Sequence, residues 1–315
     1  MDLLQKLPDA RYKKRNRVES VVDLIGNTPL ISLDKVSGGI SPDVHIFAKA
    51  EWFNPGGSVK DRPAYQMIRD GIESGELTRD KIIMDSSSGN TAIAYAMIGA
   101  ALGYKVELVT PLNINTERKK VLNAFGAKSI FSDPLEGSDG AIRLARKLKK
   151  ENPEKYFMPD QYNNPSNPLS HYKTTAPEII EQTGGRVTHF FAGLGTSGTL
   201  MGTGQKLREY NKDIKVIAIQ PAESLHGLEG LKHMNTSIVP GIYNDEFPDE
   251  TIYVSTENSY SMMKNIIDKE GIFVGHSCGA AVHAAVEYAK TLEEGVLVTI
   301  LPDSGFRYLS DRIWW

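Results

Sequence analysis

Residues 82–103 read IIMDSSSGNTAIAYAMIGAALG, and the order of residue types in this stretch decides the fold. Three apolar residues, 82–84, suit a short buried strand, and a loop of small hydroxyl residues and glycine follows at 85–90. Residues 91–102 then carry a helical pattern that stops before Gly103, the expected end signal of a helix. The unit recurs outward from here. Strand 106–109, helix 115–125 with Gly126 behind it, strand 129–131 and a basic helix at 138–151 give a second and a third copy. Alternation of this kind predicts a parallel sheet covered by helices.

On the N-terminal side, VVDLIGNTPLISL at 21–33 has a Gly-Asn-Thr-Pro turn between two apolar pieces and reads as a loop feeding an edge strand. A strand at 44–49 and a helix at 63–71 lead into the repeating region. On the C-terminal side, residues 152–167 are rich in proline and asparagine and form the candidate crossover between domains. Beyond it come helix 171–182, strand 187–191, a glycine-rich loop at 192–198, a helix through Tyr210 and strand 216–220. Residues 221–248 are irregular and carry His226, Lys232 and His233. Helix 260–269, loop 271–279, helix 280–290 and strand 296–301 complete the sheet.

A chain of 315 residues, 40% hydrophobic and 24% charged, has room for one large α/β unit or two modest domains. The net charge of -3 gives no electrostatic case for nucleic acid. Lys6, Arg11, Lys13, Lys14, Arg15 and Arg17 make the N-terminus locally basic, as a solvated arm or a binding patch. No apolar run approaches a membrane span and the first residues lack the core of a secretory signal, so the protein is expected in the cytoplasm. Cys278, the single cysteine, excludes an intrachain disulfide and a multi-cysteine metal site. The histidines show no ligand spacing, and no metal is expected.

Chemistry enters at residues 54–62, NPGGSVKDR. Two glycines let the backbone approach a ligand, and Lys60 stands where a helix can begin, with Asp61 in its first turn. An amine so placed is a candidate covalent nucleophile toward a carbonyl, while a glycine turn before a surface lysine is the plain alternative. Two strand-to-helix loops, SSSGNT at 86–91 and GLGTSGT at 193–199, offer backbone donors and a helix dipole to an anion, unless they are merely tight turns. Neither has the spacing of a P-loop or a dinucleotide fingerprint. One reactive lysine, one phosphate site and one carboxylate site fit pyridoxal 5′-phosphate, with Lys60 on its aldehyde and residues 195–199 on its phosphate. A neutral hydroxyl such as Ser277 facing the ring nitrogen makes a mild electron sink, which favours departure of a group from the β-carbon.

The chain resembles the β-replacing cysteine synthases of the fold-type II pyridoxal phosphate enzymes, and within them the cysteine synthase B branch. The motifs are GNTPL at Gly26, NPGGSVKDR at Asn54, SSGNT at Ser87, DQYNNPSNP at Asp160, AGLGTSGTLMGTG at Ala192, EGIFVGHSCGAAV at Glu270 and SGFRYLS at Ser304. The resemblance implies two doubly wound open-sheet domains of the tryptophan synthase β type, a smaller one at 45–157 and a larger one at 12–44 and 158–315, with the site between them. It implies that Lys60 holds the cofactor and moves the α-proton, that Asn90 bonds the 3′-oxygen, and that Gly195, Thr196, Ser197, Gly198 and Thr199 cradle the phosphate. By the same likeness Ser277 faces the ring nitrogen, and Ser87, Ser88, Thr91 and Gln161 bind the substrate carboxylate. Lys232 stands near where relatives that use O-phosphoserine have an arginine, and is expected to meet the donor. The implied reaction forms L-cysteine from O-acetylserine or O-phosphoserine through an α-aminoacrylate, with sulfide, thiosulfate or carrier-bound sulfur. Alternatives are a cystathionine β-synthase-like enzyme, an amine-adding synthase, or a regulatory paralogue that binds without turnover. A homodimer is implied, as is docking of serine acetyltransferase or a sulfur-carrier protein.

Overall fold

The computed structural model describes residues 18–112, 114 and 116–311; the basic arm at 6–17, position 115 and the terminal residues 313–315 lie outside the described residues. The first part of the chain holds β1 (Leu30–Ser32), β2 (Asp43–Ala50), α1 (Asp61–Glu73), β3 (Ile82–Ser86), α2 (Asn90–Leu102) and β4 (Val106–Pro111). Then come α3 (Thr116–Ala124), β5 (Lys128–Ser132), α4 (Gly137–Glu151), β6 (Tyr156–Phe157), α5 (Ser166–Lys173) and α6 (Thr175–Gln182). The last part holds β7 (His189–Gly193), α7 (Gly198–Tyr210), β8 (Lys215–Pro221), β9 (Glu250–Val254), α8 (Thr256–Asn265), α9 (His276–Ala289) and β10 (Glu294–Leu301).

Among the described residues these strands form a six-stranded sheet, β1-β2-β10-β7-β8-β9, and a four-stranded sheet, β5-β4-β3-β6. Every ladder is parallel except that of β1 on β2. The last strand in sequence is thus central: β10 lies between β2 and β7, as its run of apolar residues at 296–301, interrupted only by Thr299, suits a strand buried on both faces. Alternation sorts its neighbours. Phe191, Ile217 and Leu297 pack with α9 on one face, while Phe190, Val216 and Val298 pack with α6 and α7 on the other. In the smaller sheet Ile83 and Leu108 meet α2, and Met84 and Val109 meet Ala141 and Ala145 of α4. Each of these valine, leucine, isoleucine, methionine and phenylalanine side chains contributes roughly 1.5–3 kcal/mol on burial.

The structure departs from the sequence reading in four places. The helix expected at 171–182 is two helices, because Pro177 lacks an N–H to continue the turn from α5 and sits comfortably in the first turn of α6. The crossover at 152–167 contains β6, which pairs with β3. Residues 250–254, left without a strand by the sequence reading, form β9 at the sheet edge beside β8. Finally, α9 starts at His276 rather than 280, so Ser277 lies in a helix and not in a loop. Gly279 is the cause of the misreading. A Cβ there would collide with the Ser259 carbonyl, so the glycine is needed where α8 and α9 touch, although glycine is a poor helix former.

Candidate active site

The C-terminal ends of β3, β7 and β10 open onto one cleft, the expected place for a ligand in open α/β sheets. Its volume is about 340 Å³. Lys60 lines it from the cap position of α1. The loop before it is docked on the end of β10: Val59 N donates to the Pro302 carbonyl at 2.8 Å, and Ser58 bridges to Asp303. The Arg307 guanidinium donates to the Gly56 and Gly57 carbonyls from the other side. Asp61 does not cap the helix dipole. It folds back to accept from Gly56 N at 2.5 Å, and burial pushes its carboxyl up to about 7. Burial depresses the Lys60 amine below the ordinary lysine range, with Asp303 acting in the opposite sense. Such an amine is available as a nucleophile or base.

Behind this loop lies a buried ionic cluster. Arg62, 1% exposed at its side chain, reaches Glu51 at 2.8 Å and Glu178 at 2.7 Å, and Lys49 reaches Glu178 at 2.6 Å. Thr28 and Asn54 add hydrogen bonds to Glu51 at 2.7 and 2.9 Å. The GNTP turn, the end of β2 and the start of α1 are thereby fixed to α6.

Two helix starts face the amine. At α7, Ser197 is held in a left-handed conformation with φ 70° and its buried hydroxyl lacks a hydrogen-bond partner. Thr196 accepts from Asn167 at 3.0 Å, and the Thr199 hydroxyl lies 3.3 Å from His171 Nε2. A Cβ on Gly195 would strike the Gly230 carbonyl, so backbone alone fits that corner. The free N–H groups of the first turn and an unsatisfied hydroxyl make a cradle for an anion. At α2, the Ser87 hydroxyl accepts from Ala92 N at 3.1 Å, and Thr91 donates to Gln161 Oε1 at 2.8 Å. Gln161 in turn donates to the Ser86 carbonyl at 3.0 Å, which holds the loop open toward the cleft.

Of the residues singled out from sequence, Lys60, Ser87, Ser88, Asn90, Thr91, Gln161, Gly195, Thr196, Thr199, Lys232 and Ser277 all line this cleft, with Ser197 and Gly198 in the turn behind it. His226 and His233 do not join Lys232 there. Each is spent locally, on Leu228 N at 3.1 Å and on the Thr236 hydroxyl at 2.9 Å. Lys232 itself pairs with Asp139 of α4 at 3.4 Å. Sequence reasoning missed Arg118, Glu229, Tyr308, Asp303 and His171. Arg118 of α3 forms an ion pair with Glu229 across the cleft, and Tyr308 lines it. Among the described residues no cluster of acidic, histidine or cysteine side chains could hold a metal ion, and no helix is long and apolar enough to cross a membrane.

The profile of a family described as "Pyridoxal-phosphate dependent enzyme" matches residues 21–303. The chain belongs to this family. A cysteine synthase of Aquifex aeolicus is 50% identical over 311 residues, covering 97% of this chain and 94% of the relative. Cysteine synthase B of Escherichia coli is 39% identical over 290 residues, covering 92% and 94%. The crystal structure of a cysteine synthase from Entamoeba histolytica superposes with a TM-score of 0.91 at 38% identity, over 95% of this chain and 92% of that one. The protein is a pyridoxal phosphate-dependent enzyme of cysteine synthase type. Its residues fit the cofactor: a depressed amine at Lys60, and at α7 a backbone cradle whose buried Ser197 hydroxyl lacks a partner.

Proposed function

We propose that the protein forms L-cysteine by replacing the acetate of O-acetyl-L-serine with sulfide, and that the side chains lining the cleft divide the work as follows. Pyridoxal phosphate, when bound, supplies an electron sink for negative charge at the substrate α-carbon. Lys60 would hold the cofactor's aldehyde carbon, and its Nζ would take the substrate α-proton, a role for which its depressed pKa prepares it. The start of α7, from Gly195 to Thr199, binds the phosphate, Asn90 the ring's 3′-oxygen, and Ser277 the ring nitrogen. As a neutral hydroxyl, Ser277 would leave the ring nitrogen without a full positive charge, which would favour loss of the β-substituent. Ser87, Ser88, Thr91 and Gln161 hold the substrate carboxylate at the start of α2.

The donor follows from charge. Lys232 faces the cleft but shares its charge with Asp139 at 3.4 Å, and Arg118 shares its own with Glu229. Cations already matched by carboxylates suit the uncharged acetyl group of O-acetylserine better than a phosphate dianion. The ion pairs also tie α3 and α4 to the segment carrying Glu229 and Lys232, which keeps water from the reacting carbons. The reading includes a division into two domains along the two sheets, with the start of the smaller one moved from residue 45 to 51 because β2, Asp43–Ala50, pairs with β10 of the larger sheet. It further includes a homodimer in the cytoplasm, with serine acetyltransferase or a sulfur carrier as partner.

The observation that carries this is the buried, depressed amine of Lys60 in one cleft with two helix starts that offer backbone donors to an anion. The test is a matrix of initial rates, with O-acetylserine, O-phosphoserine and serine each offered sulfide, thiosulfate and homocysteine. O-Acetylserine with sulfide should be fastest; serine with homocysteine in first place would overturn the assignment. Lys232→Ala should leave the O-acetylserine rate nearly unchanged, and a large selective loss with O-phosphoserine would make phosphate the native leaving group.

A further inference from the structure

Asp303 stands at the end of β10 where the lysine loop docks, and the family motifs give it no task. Its Oδ2 accepts from Asn90 Nδ2 at 2.6 Å and from the Tyr308 hydroxyl at 2.5 Å. Its Oδ1 is buried without a hydrogen-bond donor and lies against Gly275, where a Cβ would collide with it. The residue is 1% exposed. An enclosed carboxylate with one unsatisfied oxygen is unfavourable unless a cation answers it. Two cations act on it through space, Lys60 on the loop that Ser58 docks against Asp303, and Arg118 of α3; for the Lys60 amine this pull toward the protonated form opposes the effect of burial. The other charged or titratable groups nearby are Tyr308, with Arg118 over its ring at 5.5 Å, and His276 stacked on that ring at 4.4 Å, itself 3.3 Å from Asp311. The Cys278 thiol donates to the backbone carbonyl of Asp303, not to its carboxylate, at 3.3 Å.

A side-chain amide nitrogen has two hydrogens in a fixed plane. With one of them committed to Asp303, the second has a single direction left. We propose that Asp303 is a positioning residue: it locks the Asn90 amide so that its free N–H is kept for the cofactor's 3′-oxygen, and it stands as the fixed counter-charge to the Lys60 nitrogen. This rests on the cofactor assignment above. The role differs from a structural one because it acts through charge, which a spectrum reads directly.

The experiment follows the visible absorption band of the purified holoenzyme across pH, for wild type, Asp303→Asn, Asp303→Ala and Tyr308→Phe, together with kcat and KM. Asp303→Asn keeps shape and an acceptor for Asn90 but loses the charge, so the midpoint at which the band changes should fall by about one unit or more. Asp303→Ala should show the same fall and also release the cofactor roughly tenfold more readily, since Asn90 is no longer held. Tyr308→Phe removes a donor from the same oxygen and leaves the carboxylate less compensated, so the midpoint should rise. That opposite shift tests the charge even if an Asp303 variant does not fold. Midpoints unchanged from wild type in the Asp303 variants, or lowered in Tyr308→Phe, would overturn the proposal. A wild-type protein that takes up no cofactor on Lys60 would overturn the cofactor assignment itself, and this proposal with it.

Discussion

Replacing Arg62 by methionine removes the centre of the buried cluster behind the lysine loop, and its effect can be worked out from the geometry. Lys49, Arg62, Glu51 and Glu178 sum to zero charge, and Glu51 and Lys49 have fully buried side chains. Without Arg62 the remainder carries one uncompensated negative charge. Burial pushes the Glu51 carboxyl up, and Arg62, by charge and by hydrogen bonds of 2.8 Å, more than reverses this and holds it at about 2. A fall from 4.5 to about 2 corresponds to about 3 kcal/mol of stability. Because the folded value lies below the unfolded one, this contribution is full above the unfolded pKa and is lost as pH falls through the folded value. In Arg62→Met, burial acts on Glu51 with only the Lys49 charge and the Thr28 and Asn54 hydrogen bonds left against it, so the deficit is largest at neutral pH and narrows as acid protonates the carboxyl. Removing one partner of a buried ionic pair typically costs about 3–5 kcal/mol, which agrees in size. Urea unfolding of the cofactor-free protein at neutral and mildly acidic pH should show a loss of that order at the former and less at the latter. A loss below about 1 kcal/mol, or one equal at both pH values, would refute the reasoning.

Other outcomes follow from single contacts. Gly195→Ala should weaken cofactor binding by tenfold or more in equilibrium dialysis, on the order of 1.4 kcal/mol, since its Cβ meets the Gly230 carbonyl; unchanged affinity would show that the cradle has slack. Gln161→Ala removes the bridge between Thr91 and the Ser86 carbonyl and should raise the KM for the amino-acid donor about tenfold, with the cofactor band unaltered; a normal KM would remove Gln161 from the carboxylate site. His171 is buried, which lowers its pKa from 6.5 to about 3, so the folded protein resists taking up that proton and loses stability as pH falls below 6.5. The slope is up to about 1.4 kcal/mol per pH unit, and His171→Asn should flatten it in acid-unfolding curves. A curve as steep as wild type would place the proton uptake elsewhere.

The two-sheet organisation was legible because buried parallel strands are short apolar runs, each punctuated by a small-residue loop and a helix that stops at glycine, as at Gly103 and Gly126. The site was legible for a related reason: a glycine-flanked lysine and two hydroxyl-rich helix starts are local patterns. What sequence hid was long-range. Asp303 and Asn90 are 213 residues apart, Arg62 and Glu178 are 116 apart, and Arg118 and Glu229 are 111 apart. No spacing rule joins such pairs, although an acid at the C-terminal end of a parallel strand is a usable hint. The start of α9 was hidden by Gly279, whose role is contact with α8 and not termination. β9 was missed because a five-residue edge strand after Pro248 and Asp249 looks like the end of a loop.

The central claim is that Lys60 carries the cofactor. Borohydride reduction of the purified protein, followed by proteolysis and mass spectrometry, reads this directly. The account predicts one pyridoxyl-phosphate mass increment, on the peptide containing Lys60, and its absence in Lys60→Ala; an unmodified Lys60 beside a labelled lysine elsewhere, or no label at all, would contradict it.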